Sequence, residues 1–67
     1  MGSVAEALPK EQARVREILG YYKEIGSAGL FGATMIEQSL KRADEAAISG
    51  DVARMITALK DLQEITV

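Results

Sequence analysis

The sequence predicts an all-α protein, a three-helix bundle, because apolar residues recur every three or four positions in three separate stretches. Glycine-containing segments separate these stretches, and each stretch would give one helix with a single apolar face. The three stripes are Val15, Ile18, Leu19, Tyr22 and Ile25; then Ala33, Ile36, Leu40, Ala43 and Ala47; then Val52, Met55, Ile56, Leu59 and Leu62. Since each apolar face must be buried, we expect the helices to share one core.

The first helix is expected to begin at Pro9 and to end near Gly26. Proline suits the first turn of a helix, where its missing N–H would have no helical partner. Glycine readily adopts the left-handed conformation that ends many helices. Residues 1–8 are then expected to form a flexible tail, and residues 9–67 a single helical domain. Gly20 falls opposite the apolar stripe and is expected to face solvent.

The second helix is expected to begin between Ala28 and Gly32 and to end at Gly50. Gly50 can adopt the left-handed conformation, and the Asp51 side chain can accept hydrogen bonds from the first free N–H groups of the next helix. Helix 3 is then expected to run to about Glu64. Because the connection is so short, helices 2 and 3 are predicted to form a tight antiparallel hairpin, with helix 1 packed across it.

The composition argues against catalysis, since the chain has neither cysteine nor histidine. Disulfides and thiolate metal sites are therefore excluded. The commonest metal ligand and general base is missing as well, so no serine has a histidine to activate it. We expect no enzymatic activity, no metal and no cofactor.

The length of 67 residues points to oligomerisation. A chain this short buries only about 60% of its unfolded surface, and natural domains of this size gain stability from disulfides, metals or self-association. The formal net charge of −2, with acids and bases interspersed, is unlike that of a dedicated DNA-binding domain. Because no apolar run approaches the roughly 20 residues that span a bilayer, we expect no membrane association. The expected partner is a second copy of the chain.

Helix 2 carries more apolar surface than one packing seam needs. At about 100° per residue, Phe31 and Met35 lie roughly 100° or more from Ile36 around the helix. One interpretation is a central helix that contacts neighbours on two sides. The other is an interface patch formed by Leu30, Phe31 and Met35 on the surface, for which the adaptable methionine side chain is well suited. The sequence leaves both interpretations open.

A candidate anion-binding site combines two cations with a run of glycines. Arg16 and Lys23 share one face of helix 1, and Gly26, Gly29 and Gly32 precede helix 2. Backbone N–H groups at a helix start can bind phosphate. A flexible turn explains the same glycines, and the spacing is not that of a P-loop. The two cations also suit an ordinary solvated helix face.

Four segments of the chain carry a likeness to a known group of proteins. They are Tyr22–Gly26, Phe31–Ala33, Arg42–Ala47 and Ser49–Val52. Through these segments the stretch from 11 to 64 resembles a group of small helical proteins from phages and bacterial prophage regions, in which no functional residues are assigned. The resemblance implies a mobile-element origin and the cytoplasm of a bacterial host. Small phage proteins often act by binding a host component or an immune signal.

These observations predict a non-enzymatic protein–protein interaction module that self-associates through helix 2 and binds a phage or host protein. The alternative is an oligomer that sequesters an anionic nucleotide signal with Arg16, Lys23 and the 26–32 turn. A third hypothesis is a helix-turn-helix DNA-binding regulator, because the same turn could separate the two helices of that motif. Its second helix lacks a basic face to read DNA, so nucleic acid is not an expected partner.

Overall fold

A computed structural model describes residues 3–66, which form three α-helices and no strand. Helix α1 spans Val4–Glu24, α2 spans Leu30–Ser49 and α3 spans Val52–Gln63, with a 3-10 turn at Gly26–Gly29. Each helix packs against the other two, in a particle of 37 × 21 × 16 Å. Three helices with a common core confirm the all-α prediction. Residues 1 and 2 of the predicted tail and residue 67 of the predicted domain lie outside the described residues.

The core lies where the three helices meet and is rich in alanine on the α2 side. Its large members come mainly from α1 and from the middle of α2, while alanines allow the helices to approach closely. The buried apolar residues are Leu8, Val15, Ile18, Ala33, Ile36, Leu40, Ala43, Ala46, Ala58 and Leu62. Each large aliphatic side chain stabilises the fold by roughly 1.5–3 kcal/mol when fully buried.

Helix α1 begins at Val4, so the predicted start at Pro9 is wrong. Residues 4–8, expected within the tail, belong to the helix. Pro9 removes one backbone hydrogen bond inside α1 and normally disfavours a helix interior. Leu8 is fully buried in the core, and burying it stabilises the extra turn on the N-terminal side of the proline.

The predicted helix ends at the two connections are confirmed. Gly26 follows α1 with a φ of 82°, and Gly50 follows α2 with a φ of 69°, both in the left-handed region. The Asp51 carboxylate accepts hydrogen bonds from the N–H groups of Ala53 at 3.0 Å and Arg54 at 3.3 Å. These residues end α2 and start α3 within a few positions, as their types predict.

Three residues predicted in the core stripes of helices 2 and 3 are exposed: Ala47, Val52 and Ile56. Near its end α2 buries Ala46 instead, because its inner face there turns toward α3. Helix α3 in turn directs Ala58 inward, which rotates its apolar face away from Val52 and Ile56. Leu62 of the predicted α3 stripe is buried, and Met55 and Leu59 pack against the core.

Helix α3 is much shorter than its neighbours, with 12 residues against 21 in α1 and 20 in α2. Arg14 marks where it ends: its guanidinium donates hydrogen bonds of 2.9 Å to the carbonyl oxygens of Leu62 and Ile65 and pairs with Glu11. From Arg14, α1 continues for about 15 Å at 1.5 Å per residue. Ile25, predicted in the core, is 61% exposed because it lies beyond the end of α3.

Candidate interaction surface

Five large apolar side chains flank the first turn (residues 25–29), and each exposes more than half of its surface. This first-turn patch comprises Tyr21, Ile25, Leu30, Phe31 and Met35. The sequence singled out the last three as a candidate interface, and the structure adds Tyr21 from α1 and Ile25 from its C-cap. Tyr21 is 53% exposed. Ile25 is expected in the core stripe, but it is exposed at a position beyond the end of α3.

The patch lies where α1 and α2 extend past α3. Beyond the end of α3, the stretch 64–66 continues along this region, and its Ile65 lines a groove together with Met35. Leu30 instead lines a different groove, beside Lys23. The three residues that the sequence grouped together therefore face two sides of α2. Phe31 lies between these sides and is 80% exposed.

Close packing against Tyr22 holds the first turn together. A Cβ atom added at Gly32 would lie 2.5 Å from Cε2 of the Tyr22 ring, and one added at Gly29 would collide with the Tyr22 carbonyl oxygen. These two glycines are therefore needed where α2 crosses the end of α1 at short range. The sequence suggested a phosphate site or a flexible turn for them, and neither interpretation included this contact.

The two candidate anion-binding cations each face a carboxylate across the α1–α2 contact. The Arg16 guanidinium donates to both carboxylate oxygens of Asp44 at 2.9 Å, and the Lys23 ammonium lies 3.5 Å from Glu37. Exposed pairs of this kind stabilise by at most about 1 kcal/mol. Both cations thus join α1 to α2, so their positive charge is largely compensated locally.

The candidate anion-binding residues are also only partly brought together. Lys23 and Gly26 line a groove of about 300 Å³ that also contains Glu37 and Leu30, whereas Arg16 is not among its lining residues. Gly29 is buried against α1. The groove therefore presents one cation and one carboxylate, an arrangement that does not favour an anion.

A second groove, of about 260 Å³, opens beside the Tyr22 ring on the α3 side of the patch. We call it the Tyr22 groove. Its walls come from α1, α2 and the stretch after α3, namely Tyr22, Gly32, Met35, Ile36, Glu64, Ile65 and Thr66. Gly32 provides no side chain to fill it. The groove lies one helical turn from Phe31, since Met35 follows Phe31 by four residues.

A third groove, of about 520 Å³, lies between α2 and α3 on the molecular surface. Ala46 and Ala58 are buried beneath it, and Arg42 pairs with Asp61 across it at 3.1 Å. Its charged lining residues are two arginines and two acids: Arg42, Glu45, Arg54 and Asp61. Balanced charge selects neither anions nor cations, and charged walls disfavour an apolar occupant.

A smaller set of exposed apolar residues flanks the second turn (residues 50 and 51). It consists of Ile48, Val52 and Ile56, of which Ile48 is 86% exposed. Exposure alone therefore does not distinguish the first-turn patch. What distinguishes it is the number of large side chains and the two adjacent grooves.

No protein family, curated protein or solved structure matches the chain. Among residues 3–66, acidic side chains do not gather in groups of three or more that could hold a metal ion. Within the same range, each helix is too short or too polar to cross a membrane.

Proposed function

We propose that the protein is a non-enzymatic interaction module that self-associates through the first-turn patch. The observation that carries the proposal is the exposure of five large apolar side chains around one turn. They include two pairs at i and i+4, Tyr21 of α1 with its C-cap residue Ile25, and Phe31 with Met35 on α2. Residues with this spacing lie on one side of a helix and form a continuous surface.

The area of the patch fits self-association. If each side chain exposes about 100 Å², the patch presents roughly 500 Å² of apolar surface, about a tenth of the total 4569 Å². Patches of roughly 300–600 Å² are the largest found on typical monomers and are often functional. A standard interface buries about 800 Å² per partner, so the patch and its margins supply most of one.

Association with a second copy would also bury apolar surface that a chain of this size cannot bury alone. Helices α1 and α2 extend past α3, and the stretch 64–66 lines only part of this region, so the exposed side chains of the patch become buried when a second copy packs on them. Burying apolar area at about 25 cal/mol per Å² stabilises the associated state. The alternative of an anionic nucleotide ligand is less well supported, because Arg16 and Lys23 face Asp44 and Glu37.

We also infer that α2 and α3 run antiparallel. Two residues, Gly50 and Asp51, connect the helices. Arg42, in the middle of α2, pairs with Asp61 near the end of α3. A two-residue connection together with a contact so far from the turn supports an α-helical hairpin.

The test is the molar mass in solution, measured by light scattering after size exclusion across a range of protein concentrations. The wild-type chain is expected to give a multiple of 7.2 kDa. Replacing Phe31 and Met35 by glutamine should reduce the mass toward that of one chain, because exposed apolar anchors dominate interface energy. Glutamine preserves helix propensity, and circular dichroism should show unchanged helicity.

The matched control replaces Ile48 and Val52 by glutamine. These residues are as exposed as the patch residues but lie at the second turn. Their substitution is expected to leave the wild-type mass unchanged. A wild-type chain that stays at 7.2 kDa at every concentration, or a Phe31/Met35 variant with wild-type mass, would contradict the proposal.

A further inference from the structure

We propose that two copies associate head to head about a two-fold axis, each inserting the Phe31 ring into the Tyr22 groove of the other. The inference rests on the proposed self-association and specifies its geometry. It makes the occupant of the groove a second copy of this chain. A projecting ring and an adjacent groove lie on one face of the molecule.

Phe31 is the projecting group. At 80% exposure it is the most exposed side chain of the first-turn patch. It does not line any of the three grooves described above, so its ring extends into solvent. Aromatic side chains of this kind are common anchors in protein interfaces, where they fill desolvated pockets on the partner.

The Tyr22 groove has room for such a ring, and its lining is part apolar and part polar. It is an open surface groove of about 260 Å³, whereas the enclosed apolar cavity that binds benzene measures roughly 150 Å³. The Tyr22 ring offers an edge or a face for aromatic contact. The Met35 thioether packs favourably against aromatic rings, and Ile65 adds an aliphatic wall. The polar members Glu64 and Thr66 are both exposed.

The positions of ring and groove fit two-fold symmetry. Phe31 and the groove wall at Met35 are separated by one helical turn on α2. A two-fold axis between them would place the ring of each copy opposite the groove of the other. Such an isologous interface needs one surface that complements itself, and a ring beside a groove meets that condition.

A head-to-tail arrangement fits the surface less well. It would bring the first-turn patch of one copy against the second turn of the next. The groove nearest to that turn carries Arg42, Glu45, Arg54 and Asp61. Inserting a phenyl ring there would remove the Arg42–Asp61 pair and its charged neighbours from water, which is unfavourable.

The test is an isotope-filtered nuclear Overhauser measurement on a mixture of labelled and unlabelled wild-type chains. Phe31 is the only phenylalanine in the sequence, so its ring protons identify one site. We expect intermolecular contacts from this ring to the methyl groups of Ile65 and Met35. The molar mass of the sample should be twice the 7.2 kDa of one chain. Phe31→Ala should weaken association by at least about tenfold.

Three outcomes would overturn the inference. Intermolecular contacts from Phe31 to Ile48, Val52 or Ile56 would establish a head-to-tail arrangement and leave self-association standing. A stable oligomer without Phe31 contacts, or with a mass other than twice that of one chain, would likewise refute the two-fold exchange alone. A sample with the mass of a single chain would refute the proposed function together with this inference.

Discussion

The two turns of the bundle are held by different kinds of interaction. At the second turn the Ser49 hydroxyl accepts a hydrogen bond from the Asp51 N–H at 3.1 Å, and Asp51 in turn caps α3. At the first turn, two glycines allow the backbone of α2 to approach Tyr22 closely. The second turn is thus held by hydrogen bonds between polar groups a few residues apart. The first turn is held by close packing between two helices.

This difference explains why the surroundings of the turns differ. A turn closed by caps satisfies its backbone groups locally and requires little of the side chains around it. A turn closed by packing fixes the position of both helices, so their apolar side chains are held in place beyond the end of α3. Tyr22 thus helps close the first turn and line the groove beside it. The candidate interface lies at the turn whose geometry is determined by tertiary packing.

The largest expected effect is that of Gly29→Ala. The added methyl group would collide with the carbonyl oxygen of Tyr22, which belongs to backbone and cannot rotate away. Overpacking typically destabilises by about 1–3 kcal/mol, and we expect the upper end of this range. Urea denaturation at a fixed protein concentration measures the loss. A free energy of unfolding close to that of the wild type would show that packing does not hold the first turn.

Removal of the cap at the second turn is expected to have a smaller effect. Asp51→Ala deletes the acceptor of two backbone hydrogen bonds and should lower the free energy of unfolding by about 1 kcal/mol. Asp51→Asn keeps an acceptor oxygen and should remain within a few tenths of a kcal/mol of the wild type. Equal losses from both variants would mean that the cap does not account for the effect. The molar mass should not change in either variant.

Gly20→Ala is expected to have an effect of at most similar size but opposite sign, a gain in stability. Gly20 lies within α1, and apart from its chain neighbours and the nearby α1 backbone, a Cβ atom added there would meet no atom of residues 3–66 within 4 Å. Alanine is favoured over glycine inside a helix by about 1 kcal/mol, so the denaturation midpoint should rise. A loss of stability would indicate that another surface packs on this face of α1, away from the first-turn patch.

The sequence predicts the second turn well because the signals there are local. A glycine followed by aspartate between two periodic stretches specifies a left-handed residue and then a cap, whatever surrounds them. The predicted start of α1 is wrong for the opposite reason, because the interaction that decides it is not local. Pro9 is a sound local signal for a helix start, but the burial of Leu8 by the other helices stabilises an earlier one.

The candidate interface could be predicted only in part. Helical spacing places Phe31 and Met35 away from the main seam of α2, and both are exposed. Ile25 fits the α1 stripe, and its exposure depends on where α3 ends. Helix α3 ends where the Arg14 guanidinium of α1 donates hydrogen bonds to the carbonyl groups of residues 62 and 65. A contact between residues so distant in sequence leaves no periodic signal.

The position of Ile65 and Thr66 in the wall of the Tyr22 groove has a practical consequence for anyone who labels the protein. A fluorophore or affinity handle attached after Thr66 would emerge at the mouth of the groove and compete with whatever binds there. A handle attached ahead of Ser3 would emerge about 30 Å away, at the other end of α1. Placed there, it would report on association without obstructing the first-turn patch.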